Sequence, residues 1–285
     1  MRVLIDSSCG RVGDGISSSL FWVPDTEVIT WIADAKPTMD MFDETNPDIL
    51  ITNATKLSTQ ELKIASHRHP NTKIVSIGKV NDFQLEPHLS ISQESSSPFP
   101  TIRFEDGAMI GNIGSPSKKK NLHTDLLCLT DYIHLNDRWS TSVKKWEEFI
   151  SILNFLCENY NIKIFGKQYM SVPNYLGTVT PSTQSSALAS TSVYIDLDGG
   201  SWYDAAWLGK ECVSISKSCL RNFSNVEELK SSVDEALAAG ETNSQKIKMT
   251  VKNQTYFELT GDILSFFNLP EKRQLLMEKK KEMLC

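Results

Sequence analysis

Two stretches of this chain carry residue types that bind phosphate or move protons. In the second half, Asp196-Leu197-Asp198 leads into Gly199-Gly200-Ser201, followed by Trp202 and Asp204. Acids at the end of an apolar run, then glycines that let backbone come close to a ligand, make an anion site, and phosphate is the first ligand to expect. In the first half, an apolar run ends in Asp6, and Gly10, Gly13 and Gly15 flank Asp14. An acid in such a place can serve as a general base, with Asp14 the first choice and Asp6 behind it.

The same spacings exclude other chemistry. Gly10-x-x-Gly13-x-Gly15 lacks the Gly-x-Gly-x-x-Gly order of dinucleotide sites, and the second strand closes on Thr30-Trp31-Ile32 without an acid, so a bound NAD is not expected. Asp196 and Asp198 are the one pair in a metal-like spacing. Strand alternation puts both on one face, where they are read as capping the glycine turn, so no metal is expected.

These residues need elements to hold them. Arg2 to Asp6 reads as a strand, the glycine segment as a loop, and Ile16 to Val23 as a helix. Glu27 to Trp31 and Asp48 to Thr52 read as strands around a helix over Pro37 to Asn46. A capping box at Ser58-Thr59-Gln60-Glu61 opens a further helix before the strand Lys73 to Ile77. Strands alternating with helices predict a parallel sheet covered on both faces, with ligands at the carboxyl ends of its strands. The Ser/Pro/Gly-rich residues 86–122 read as a linker, with a short strand at Thr101 to Phe104. A second α/β unit follows over 123–265. In it, Asp125 to Leu129 is a strand, Val143 to Asn159 an amphipathic helix, and Asn161 to Phe165 a strand ending at Gly166. A small helix over Ser182 to Ser190 leads to the strand at Val193 to Ile195. Trp202 to Leu208 is a short helix closed by Gly209, and Cys212 to Ile215 a strand. The first unit spans 1–85, and a charged helix over 266–285 is placed to return to it.

Composition agrees with two domains. A chain of 285 residues with 40% hydrophobic and 22% charged residues is globular in type, and it has no apolar run long enough for a bilayer. Met1-Arg2 opens directly into a strand without a leader, which points to the cytoplasm. The six cysteines show no Cys-x-x-Cys spacing, so neither zinc nor a disulfide framework is indicated. A net charge of −6 argues against a general electrostatic grip on nucleic acid.

The element order of the second unit resembles the nucleotide-sugar-binding domain of glycosyltransferases with the glycosyltransferase-B fold, in particular the "group 1" branch that includes spore-maturation-like proteins. The resemblance rests on Lys163-Ile164-Phe165-Gly166, Tyr175-Leu176-Gly177-Thr178-Val179, Ala187 to Val193 followed by Asp198 to Gly209, Val226-Glu227-Glu228-Leu229 and Asn253 to Phe257. The compact two-domain plan is also similar to that of phage DNA glucosyltransferases. The resemblance implies an α/β architecture of two Rossmann-like domains facing a cleft. It implies a nucleotide-sugar co-substrate, UDP-sugar first, with no further cofactor, and an acceptor hydroxyl that hydroxymethylated DNA could supply. Gly166 counts with the donor site, the backbone at Val179 with the base, and Gly199, Gly200, Ser201 and Trp202 with the diphosphate. Asp204 is similar in position to the family's ribose-binding acid, as a shorter Asp where Glu is usual. Arg138 resembles the cation that neutralises diphosphate, which suits the paired donors of a guanidinium. A sugar-nucleotide epimerase and a non-catalytic binding relative are the alternatives.

Overall fold

The computed structural model describes residues 1–32, 37–53, 59–78, 86–92, 99–104, 106–110, 124–130, 143–166, 172–178, 181–197 and 202–284. The chain divides into two compact units, one of Met1–Gly111 with Thr255–Cys285 and the other of Asn112–Gln254.

The first unit opens with β1 (Arg2–Asp6), a single 3-10 turn (Ser7–Cys9) and α1 (Gly10–Leu20). Then come β2 (Glu27–Trp31), α2 (Thr38–Thr45), β3 (Ile49–Thr52), α3 (Thr59–Arg68) and β4 (Lys73–Ile77). Two more strands, β5 (Leu89–Ser92) and β6 (Thr101–Arg103), complete a six-stranded parallel sheet of order β2-β1-β3-β4-β5-β6. Leu89–Ser92 and Thr101–Arg103 are therefore sheet, not linker, and the first unit runs past 85 to Gly111. Leu89 and Ile91 do alternate with Ser90 and Ser92, but over only four residues within a Ser/Pro-rich stretch, and Ser90 is itself fully buried, so the strand rests on backbone pairing as much as on an apolar face. Successive side chains point to opposite faces. Leu4 and Leu50 pack with Phe42 of α2 and Leu62 of α3, while Ile5 on the other face meets α1.

The second unit is built from β7 (Thr124–Thr130), α4 (Val143–Asn159), β8 (Ile162–Gly166), α5 (Pro181–Ser190), β9 (Thr191–Asp196), α6 (Trp202–Trp207), β10 (Glu211–Ser214), β11 (Arg221–Asn222), α7 (Val226–Ala239) and α8 (Ser244–Val251). Its sheet is also parallel, of order β11-β10-β9-β7-β8. On α4, Phe149, Leu153 and Leu156 share one buried stripe against Leu126, Ile164 and Val193 of the sheet. Each such side chain contributes about 1.5–3 kcal/mol through area removed from water. The Tyr175 segment makes a single parallel bridge to Ile164. Gly209 ends α6 at φ +74, the left-handed conformation expected of a helix-closing glycine.

The chain then returns to the first unit. Thr255 caps α9 (Tyr256–Phe266), its hydroxyl accepting from the Glu258 amide, and bridges to Ala108. Helix α10 (Pro270–Leu284) packs on α9, with a buried Lys280 paired to Glu258. The second unit thus ends at Gln254, and the whole of 255–285 belongs with the first. Among the described residues no helix is long and apolar enough to cross a membrane.

Candidate functional site

Both sheets are wound in the same way. In the first, β1 lies between β2 and β3; in the second, β7 lies between β8 and β9. The connections on either side of β1, and of β7, run in opposite directions, so the carboxyl ends of β1 and β3, and again those of β7 and β9, are topological switch points. These are the places where a parallel α/β sheet takes ligands.

In the first unit that place is occupied by a polar cluster around Asp6. Asp6 is fully buried and accepts from the Ser8 amide at 2.9 Å, the Ser8 hydroxyl at 2.5 Å and the Thr52 hydroxyl at 3.0 Å. The Ser8 hydroxyl also lies 2.7 Å from Asn53 Oδ1, and Asn53 Nδ2 donates to the Ser8 carbonyl. The sequence reading singled out Asp6 alone. Its capping of the next turn was legible as a strand-ending Asp followed by Ser-Ser. Thr52 and Asn53, some 46 residues away, carried no local signal.

The glycine segment is not the ligand-facing loop expected. Gly10, Gly13 and Gly15 all lie in α1, where Gly13 and Gly15 serve packing. A Cβ on Gly13 would come 2.7 Å from Cys9 Cβ, and one on Gly15 would come 2.3 Å from the ring of Tyr256. Asp14 follows Gly13 on this helix and is exposed.

In the second unit, the carboxyl end of β9 is set by Asp196. It is fully buried and accepts from the Ser214 hydroxyl at 2.8 Å, while Ser214 in turn accepts from the Ser216 amide at 2.9 Å. Asp196 thus ties the end of β9 to that of β10. Trp202 begins α6, is 4% exposed and stacks on Tyr203 with ring centroids 4.0 Å apart. Its indole N–H is buried with no hydrogen-bond partner among the described residues. A buried orphan donor of this kind costs about 1–3 kcal/mol until something accepts from it. Asp204 is buried in the first turn of α6, with Gln184 Nε2 of α5 at 3.4 Å from Oδ2. Gly166 ends β8 at the sheet's edge, where its amide donates to the Gly177 carbonyl and its carbonyl accepts from the Tyr175 hydroxyl. Arg138, Val179, Asp198, Gly199, Gly200 and Ser201 lie outside the described residues. Among the described residues no group of three His, Cys, Asp or Glu side chains could hold a metal ion.

No family model and no curated protein sequence matches the chain. Solved structures do. The spinosyn forosaminyltransferase SpnP superposes with a TM-score of 0.59 at 10% identity, over 94% of this chain and 99% of that one. An alpha-glucosyltransferase in complex with UDP and a 13-mer DNA gives 0.60 at 10% identity, over 93% and 99%. A UDP-N-acetylglucosamine 2-epimerase gives 0.51 at 10% identity, over 94% and 97%. The chain has the glycosyltransferase-B fold. Two Rossmann-like domains, each with its own parallel sheet and its own switch point, are what that fold supplies.

The five described cysteines are free thiols. Burial pushes the Cys9 and Cys212 thiols far up, and that of Cys219 up to about 11. Because the thiolate is the reactive form, iodoacetamide at pH 8 is expected to leave these three unmodified in the native protein. Mass spectrometry should find them alkylated after unfolding in urea. Native labelling of Cys212 within minutes would contradict the burial described.

Proposed function

We propose that the chain is a metal-independent glycosyltransferase that moves a sugar from a nucleotide-sugar donor, a UDP-sugar first, to an acceptor hydroxyl. The observation that carries this reading is the placement of the second switch point. It falls between β7 and β9, the two strands that lead into the segments holding Arg138 and Gly199-Gly200-Ser201. Glycosyl transfer requires that charge growing on a departing diphosphate be stabilised. Arg138 and the amides of the glycine turn supply that in this reading, with the orphan indole N–H of Trp202 as a further donor. Asp204 serves the ribose hydroxyls, the Val179 backbone the base, and Gly166 borders the donor. The first unit takes the acceptor. The likeness to the structure with UDP and DNA supports the UDP donor and DNA as an acceptor to test; the hydroxymethylated form of that DNA comes from the sequence resemblance. A place in the cytoplasm and in the spore-maturation-like branch rests on the sequence alone.

A second reading, a sugar-nucleotide epimerase, is favoured by the likeness to the 2-epimerase over nearly all of both chains. One experiment separates the readings. The protein is incubated with UDP-, GDP- and ADP-sugars while thermal shift, released nucleoside diphosphate and the recovered sugar nucleotide are followed. A transferase gives stabilisation and released diphosphate. An epimerase returns a changed sugar nucleotide, and a binding protein gives stabilisation alone. Silence across the panel rejects all three. Arg138→Ala is expected to weaken UDP binding about 10–100-fold, the worth of a charge-assisted hydrogen bond. An unchanged shift removes Arg138 from the donor site.

A further inference from the structure

The proton of the acceptor hydroxyl needs a destination, and the first switch point contains one. We infer that Ser8 is a catalytic residue that relays this proton to Asp6. The inference rests on the transferase reading above and adds the identity of the base and its route.

Three observations carry it. Asp6 and Ser8 stand at the carboxyl end of β1, beside β3, at the switch point where a sheet of this order takes ligands. Asp6 is fully enclosed, so an acceptor cannot reach its carboxylate directly, whereas Ser8 is half-buried and its hydroxyl touches Asp6 Oδ2 at 2.5 Å. That is the length of a charge-assisted O–H to carboxylate bond.

The third observation is how Ser8 is held. Its hydroxyl lies between Asp6 Oδ2 at 2.5 Å and Asn53 Oδ1 at 2.7 Å, while Asn53 Nδ2 donates to the Ser8 carbonyl. Asn53 is a positioning residue in this scheme, since it fixes Ser8 through two contacts.

The step balances as follows. The acceptor O–H gives its proton to Ser8 Oγ while the proton of Ser8 passes to Asp6 Oδ2. The acceptor oxygen bonds to the anomeric carbon of the donor. The bond from that carbon to the diphosphate oxygen breaks, and its electron pair leaves with the nucleoside diphosphate. Asp6 then returns the proton through Ser8 to solvent.

Water as the acceptor and UDP-glucose as the donor give a test that needs no knowledge of the natural acceptor. Ser8→Ala is expected to lower the rate of UDP release at saturating donor by about 100-fold, the scale of general-base catalysis. The UDP thermal shift and the donor KM should stay as in the native protein. Ser8→Thr, which keeps the hydroxyl, is expected to recover most of the rate. Undiminished UDP release by a folded Ser8→Ala protein overturns the relay. So does a loss that follows Asp14→Asn instead. Should Ser8→Ala not fold, the native protein still decides. Its rate in mixed light and heavy water curves with isotope fraction when two protons move in one step, and a straight line overturns the relay. If the native protein turns over no donor, the transferase reading fails and the relay with it.

Discussion

Gly15→Ala is expected to destabilise the first unit by about 3 kcal/mol, the upper range of what forcing a methyl into a filled core costs. The new Cβ would lie 2.3–2.4 Å from three ring atoms of Tyr256, which is a collision with the middle of the ring rather than with a flexible tip. The ring has nowhere to go. Tyr256 is fully buried, its hydroxyl donates to Asp106 at 2.8 Å, and its backbone amide donates to the Ala108 carbonyl at 3.2 Å. Asp106 is in turn held by Arg11 Nε at 3.1 Å, so α1, the 106–108 segment and the start of α9 form one interlocked contact. Urea unfolding measures the loss, and a cycle with Tyr256→Ala locates its origin. Without the ring, Gly15→Ala should be neutral or slightly stabilising, because Ala is the better helix former by about 1 kcal/mol. Gly10→Ala offers a contrast. Its Cβ would enter open space, but φ +53 with ψ −139 strains any other residue, so a cost of about 1–2 kcal/mol should persist whatever stands at 256. A Gly15→Ala protein within 0.5 kcal/mol of the native one would show that α1 and α9 do not meet as described.

The same glycines explain how far the sequence could be read. Where apolar residues follow one period, the elements stand where the pattern puts them. The strands β2 and β4 and the helix α4 match their expected ranges, because burial on a pleated or helical surface is written directly in residue spacing. The glycines of α1 carry the opposite message. Each is a poor helix former and so reads as loop, yet the missing side chains of Gly13 and Gly15 are what leave room for Cys9 and for the Tyr256 ring. The requirement at Gly15 comes from a residue more than two hundred positions away and cannot be read locally. The site divides in the same way. Asp6 and Asp196 were visible as acids at strand ends, but the hydroxyls that hold them, Thr52 and Ser214, belong to the neighbouring strand in each case. Their roles depend on strand order, which spacing does not encode.

Arg221→Ala is expected to cost about 3 kcal/mol, the low end for breaking a buried ion pair because the arginine itself retains some exposure. Glu211 opens β10 and is 5% exposed, with Arg221 Nε of β11 at 3.2 Å and Asn243 Nδ2 at 2.9 Å. Arg221 also reaches Glu235 of α7 at 2.8 Å, so one guanidinium joins the sheet's edge strand to the helix over it. The two contacts are unequal. Glu235 is 62% exposed, and water replaces its partner at little cost. Glu211 has no such access, and losing Arg221 leaves a buried carboxylate with one amide donor. The cost is therefore that of an unpaired charge, and it should be relieved when the charge is removed too. Glu211→Gln added to Arg221→Ala is expected to recover 1 kcal/mol or more, roughly the scale of the desolvation penalty lifted, whereas Glu235→Gln added to it should recover nothing. Both are measured as urea midpoints at constant slope, since an unchanged slope shows that the unfolded states are comparable. A loss below 1 kcal/mol for Arg221→Ala would mean that Glu211 finds water after all, and that β11 is an open edge rather than a clamped one.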